Sequence, residues 1–305
     1  MKRMGLLQEK LASKQAIKDY YHVTKPNVIS LLVFTGAASY IASAGWNTSI
    51  FTLVIVSISV WLGAASANTV GSYFDRDIDA IMTRTKSRPI PTGRIPPTHA
   101  AAYGLVLLVA SVALAVVFLS WISALAMIAG FLDYAMVYSF LLKRRTPLNI
   151  VLGGFSGVMP VLVGYFATQH PVIPLETGLF AGFLVFFWIP EHIWALAIRF
   201  KKDYQNARIP MLPVVVSEST SVRLIALTSI VMVAYSLLPL SFPGLKLGLV
   251  YSLVAVVLGA AIIALNIWLL KEPSAQRAWT VFKFSSPYLF FIFIGIMADV
   301  LIFAR

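Results

Sequence analysis

The chain has 305 residues, 59% of them hydrophobic and only 12% charged, with a mean hydropathy of +0.84, far outside the range of soluble globular domains. Its formal net charge is +12, from 24 Lys and Arg against 12 Asp and Glu, and it has no cysteine, which excludes a disulfide framework and thiolate metal chemistry. These quantities point to an integral membrane protein.

Residues 1–26 are polar and basic and lack the short apolar core with an adjacent cleavage pattern that marks a signal peptide, so they are expected to form a cytoplasmic lead-in. Residues 27–305 are expected to form a single transmembrane domain. Nine segments reach the roughly 20 apolar residues a spanning helix needs, near 27–44, 51–74, 98–119, 121–141, 147–168, 176–198, 219–240, 246–270 and 280–303. The predicted fold is therefore all-α, a polytopic membrane protein with nine transmembrane helices.

Lys and Arg alternate loop by loop. Six precede the first span, five lie between Arg76 and Arg94, three at Lys143, Arg144 and Arg145, five between Arg199 and Arg223, and three after the eighth span. Only Lys246 and Arg305 fall on the other side. By the positive-inside rule the N-terminus is cytoplasmic and the C-terminus outside, which requires an odd number of spans. A nucleic-acid-binding surface would not alternate in this way, so nucleic acid is excluded as a partner. Membrane lipid surrounds the chain. The connections after the second and sixth spans are long and polar, lie four spans apart, and hint at a duplicated four-helix unit.

The first of those connections, NTVGSYFDRDIDAIMTRTKSRPIPTG from Asn68 to Gly93, carries the strongest chemical signal. Asp75 and Asp79 are four residues apart, and Asn68 and Ser72 continue the same helical stripe; Asp77 points elsewhere. Charge at a membrane helix mouth is expensive and marks function. Mg²⁺ takes hard oxygen ligands, typically one or two carboxylates plus phosphate oxygens. Arg84, Lys86, Arg88 and Arg94 follow and could take the remaining phosphate charge. The residues alone leave open a second reading, a solvated, self-neutralising loop.

The sixth span ends WIPEHIWALAIRFKKDYQNARIPMLP. His192, Arg199 and Asp203 are spaced by seven and four residues and form one stripe if the helix persists. Glu191 and His192 lie in an apolar segment and must find partners or change protonation state. For His192 the choice is between a helix-to-helix hydrogen bond and a catalytic or iron-binding role; Asp203 is the better candidate for a second metal or diphosphate contact. Lys143 and Arg144 add charge on the same face, serving topology and potentially phosphate. Asp133 and Asp299 are isolated intramembrane acids that could pair with a base, and Tyr20, Tyr73 and Tyr204 lie near the mouth, where ring faces would stabilise an allylic cation.

With these residues in view, the chain resembles the UbiA-type intramembrane prenyltransferases, the family related to ubiquinone and chlorophyll synthesis. The stretch YFDRDIDAIMTRTKSRPIPTG looks like its aspartate-rich signature, and TKPNV near Lys25, LLKRRTPLNIVLGG and HIWALAIRFKKDYQNARIPMLPVV look like its heme-modifying branch. Together they extend over most of the first 216 residues. Two departures stand out: Gly71 replaces the usual Asn, with Asn68 a possible substitute, and Asp203 alone remains where quinone-type relatives carry several aspartates.

The resemblance implies a nine-helix prenyltransferase bundle in the cell membrane of a prokaryote, with its site on the cytoplasmic side. It implies Mg²⁺ held by Asp75 and Asp79 on farnesyl diphosphate, with catalytic Asp75, Asp79 and Asp203 and a diphosphate site of Asn68, Arg84, Lys86, Arg88, Lys143, Arg144 and Arg199. The acceptor implied is the vinyl group of heme B, a substrate and not a retained cofactor, with His192 as a heme contact and a downstream heme-modifying enzyme or oxidase assembly as a partner. An aromatic or quinone-precursor acceptor keeps the fold; a multispan transporter would instead place its site near the bilayer centre, and the longer DGxxAR-type signature of CDP-alcohol phosphotransferases is absent.

Overall fold

The computed structural model describes residues 2–303, with side chains from Ser13 onward. Arg305 lies outside the described residues, and the side chains of Lys2, Arg3 and Lys10 are likewise outside them. The elements run α1 (Lys2–Val23), α2 (Pro26–Ala44), α3 (Ile50–Phe74), α4 (Arg76–Ile81), α5 (Pro97–Phe118), α6 (Trp121–Phe131), α7 (Asn149–Leu152) and α8 (Val158–Phe166), then α9 (Leu175–Arg199), α10 (Lys201–Asn206), α11 (Leu212–Val215), α12 (Glu218–Ser236), α13 (Leu249–Lys271) and α14 (Ala275–Phe303). Helix α6 runs unbroken into a π-helix, Leu132–Leu142, and a 3₁₀ segment, Gly153–Gly157, joins α7 to α8. Among the described residues nine helical stretches are long and apolar enough to cross a membrane, in the order and number the sequence predicts.

A lipid-embedded bundle gains little from hydrophobic burial between helices, so close backbone approach and satisfied polar groups decide its packing. Helices α2 and α8 show this: a Cβ on Gly164 would lie 2.0 Å from the Gly36 carbonyl oxygen, so only glycine permits the crossing. The largest apolar cluster joins α2, α8, α9, α13 and α14 around Val185, Tyr251, Tyr288 and Ile292. Polar ties hold the connections at both ends.

The two isolated acids find backbone partners, not the bases expected. Asp299 accepts from the amides of Gly248 at 2.5 Å, Val250 at 3.0 Å and Tyr251 at 3.2 Å, capping α13 from the neighbouring α14. Asp133 accepts from the Ser156 amide at 2.7 Å and ties the π-helix to the 3₁₀ segment. The lead-in is helical and docked: Asp19 pairs with Arg94 at 3.0 Å and Tyr20 packs edge-on against Tyr103. Basic residues of the connections after α3, α6 and α9 therefore gather at the same end of the bundle as the α1–α2 junction.

Candidate active site at the helix mouths

Helix α3 stops at Phe74 because Asp75 leaves the helical region, at φ −87° and ψ 0°, and α4 restarts at Arg76. The Asp79 amide still donates to the Asp75 carbonyl at 2.8 Å, so the two carboxylates stay one turn apart as the spacing predicts. Both are 3% exposed. Lys143 reaches Asp75 Oδ2 at 2.5 Å, and Arg88 reaches Asp79 Oδ2 at 2.7 Å. Burial alone would lower the Lys143 ammonium, but the Asp75 carboxylate outweighs it and holds the group above its ordinary value.

A free carboxylate oxygen at the mouth suits a hard cation. Asp75 Oδ1 and Asn68 Oδ1 are buried and accept no hydrogen bond among the described residues, which burial penalises unless a ligand completes them. Among the described residues no three His, Asp or Glu side chains cluster as a self-sufficient metal site. Mg²⁺ needs no such cage when phosphate oxygens supply the remaining ligands. An asparagine in place of Gly71 would be crowded here, since its Cβ would meet the Tyr134 ring at 3.0 Å and Ser139 Oγ at 3.1 Å.

The π-helix determines where Lys143 points. At 3.6 residues per turn the nine residues from Tyr134 to Lys143 make two and a half turns, which sets the two on opposite faces. Hydrogen bonds from i+5 to i, such as Lys143 N to Tyr138 O at 2.8 Å, widen the turn so that Tyr134, Tyr138 and Lys143 share a face. Lys143 thus sits over the Tyr138 ring, 5.7 Å from its centre, and on Asp75.

Asp203 meets the acidic segment through its backbone. Its two oxygens accept from the Thr83 and Arg84 amides, each at 3.1 Å. Burial would push this carboxyl up, but those amides hold it below its usual range. It clamps the loop after α4. Arg84 is exposed and packs over Phe200 at 5.2 Å, Lys86 and Arg199 are exposed, and Arg144 forms a two-pronged pair with Asp77 at 2.7 and 2.6 Å. That fork holds Asp77 below the ordinary carboxylate value.

The predicted stripe of His192, Arg199 and Asp203 is broken, because α9 ends at Arg199 and Phe200 turns the chain at φ −110°. His192 lies between the rings of Trp188 and Phe282, at 4.1 and 4.3 Å, and its Nδ1 shares a 2.6 Å hydrogen bond with Ser285 Oγ. The helix-to-helix alternative describes its position. Glu191 is fully buried, and neither oxygen is hydrogen-bonded among the described residues.

Lys25, which the sequence places at the end of the lead-in and not among the site residues, joins the site. With His22, Ser72, Asp79 and Arg88 it lines a small cleft at the mouth. Its backbone is left-handed, at φ 59°, ahead of Pro26, a conformation rare outside glycine. Burial, with Arg88 adding to it, pushes the ammonium down to about 7. A lysine directly before the proline that opens the first span was the available signal.

Below the mouth opens an apolar cavity of about 240 Å³, whose lining includes Asn68, Phe131, Tyr134 and Tyr138. The rings facing it are these, and not the three tyrosines named from the sequence. Tyr20 is on Tyr103, Tyr73 lies under Arg76 at 4.7 Å, and Tyr204 is buried in a core cluster with Met82 and Met211.

A charged mouth over a long apolar chamber suits an amphiphile with an anionic head. The model of the UbiA prenyltransferase family matches residues 31–294. The chain belongs to that family. Curated relatives of this UbiA-family prenyltransferase include protoheme IX farnesyltransferase 2 of Cenarchaeum symbiosum, 42% identical over 96% of this chain and 98% of that one. Protoheme IX farnesyltransferase of Desulforudis audaxviator is 44% identical over 94% and 90%. Among solved structures, a digeranylgeranylglyceryl phosphate synthase superposes with a TM-score of 0.75 at 18% identity, covering 94% of this chain and 99% of the other. A UbiA homologue of Archaeoglobus fulgidus, bound to GPP and Mg²⁺, gives 0.61 at 18% identity over 92% and 99%.

Proposed function

We propose that this prenyltransferase transfers the farnesyl group of farnesyl diphosphate to the vinyl group of heme B, giving heme O and diphosphate, with Mg²⁺ required and the site facing the cytoplasm. The observation that carries the reading is the pairing of Asp75 and Asp79 with Lys143 and Arg88 directly above the apolar cavity. The names of the relatives support farnesyl and heme as its two substrates.

In this reading the farnesyl tail fills the cavity and the diphosphate sits among Lys25, Arg88 and Lys143. Asp75 and Asp79 would hold Mg²⁺, which neutralises charge on the departing diphosphate. As the C1–O bond breaks, the three cations stabilise the growing negative charge. The allylic cation left behind faces Tyr134 and Tyr138, whose ring faces attract it. The vinyl group then forms the new C–C bond, and water adds to the resulting cation with loss of a proton. Asp203 acts by holding the Thr83–Arg84 backbone, and His192 by packing α9 on α14.

The test is mass spectrometry of hemes from cells expressing the chain, with membranes assayed in parallel on farnesyl diphosphate and either heme B or 4-hydroxybenzoate. A hydroxyethylfarnesyl heme is expected. Prenylated benzoate without the modified heme would overturn the acceptor assignment.

A further inference from the structure

We infer that Met127, seated against Gly63, is the floor that sets the length of prenyl chain this protein accepts; the inference rests on the prenyl-donor reading above. On α3 the cavity runs from Asn68 down to Val60, eight residues or about 12 Å at 1.5 Å each. It ends where Val60, Ala126 and Met127 meet. Behind them lies packed protein: Val60, Ala126 and Met127 belong to one cluster with Tyr40, Val56 and Val163, all between 0% and 7% exposed. Close-packed interiors yield little space to one more isoprene unit.

Met127 is the adjustable part of this floor. It reaches from α6 to the backbone of α3, where a Cβ built on Gly63 would lie 2.7 Å from its sulfur and 3.1 Å from Ser111 Oγ. Ser111 is fixed by its own 2.7 Å hydrogen bond to the Ser59 carbonyl. The thioether, with three rotatable bonds, is the part that would yield. Two substitutions therefore act in opposite directions. Met127→Ala removes the floor and deepens the cavity, whereas Gly63→Ala displaces the thioether into it.

The experiment compares geranyl, farnesyl and geranylgeranyl diphosphate on the full-length protein, wild type and both variants. It reads donor-dependent thermal stabilisation in Mg²⁺, which needs no acceptor, and the masses of prenylated products in competition. Met127→Ala is expected to shift the geranylgeranyl-to-farnesyl ratio upward by about 10-fold or more, and Gly63→Ala to shift the geranyl-to-farnesyl ratio upward by a similar factor. Unchanged ratios, or both variants moving the same way, would overturn the floor. Opposed shifts in donor binding without any prenylated heme would leave the floor standing and sink the acceptor assignment.

Discussion

Asp75 and Lys143 form the tightest charge pair of the site, with Asp75 almost wholly buried and its second oxygen open. Replacing Asp75 by Asn keeps the shape but removes the charge that holds both the lysine and a metal. Turnover is expected to fall about 100-fold to 1000-fold, checked by steady-state assay alongside a melting curve to show the fold persists. Lys25 makes the site sensitive to pH. Burial lowers its ammonium to about 7, so its positive charge is present below that pH and is lost as pH rises through it. The kcat/KM for the diphosphate donor is expected to drop above about pH 7, and Lys25→Arg, which keeps its charge, should move the break upward.

Two elements turn these residues into a site. The π-helix Leu132–Leu142 rotates Lys143 onto the face of Tyr134 and Tyr138, a rotation no periodicity of apolar residues announces, because the segment reads as an ordinary span. The short helix α10 carries Asp203 to the amides of Thr83 and Arg84. Hydrogen bonds to a charged group contribute about 1.5–3 kcal/mol each, so Asp203→Ala should loosen the loop that bears Arg84 and Arg88. Amide exchange at Thr83 and Arg84 is expected to accelerate, and donor KM to rise about 10-fold to 100-fold. Unchanged exchange at those two amides would remove Asp203 from the positioning role.

For the whole molecule, the basic connections collect at one end of the bundle, which the positive-inside rule predicts to be the cytoplasmic one. The absence of native cysteine makes this testable. Lys201→Cys should react with an impermeant maleimide only in inverted vesicles, and Lys246→Cys only in intact cells. The reverse pattern would invert the orientation. By itself the sequence determined the all-α class, the nine spans and the Asp75–Asp79 turn, because hydropathy and helical spacing are local properties written residue by residue. For His192 the sequence left a bond to a neighbouring helix and an iron-binding role open, and the packing supplies the bond, to Ser285. The tertiary structure decided the rest. Lys25, Lys143 and Arg88 come from three connections far apart in the chain, and Asp203 from a fourth, so only helix packing brings them to one mouth. The cavity beneath exists only where α2, α3, α6, α8 and α9 face one another, and a space between helices has no signature in any one of them.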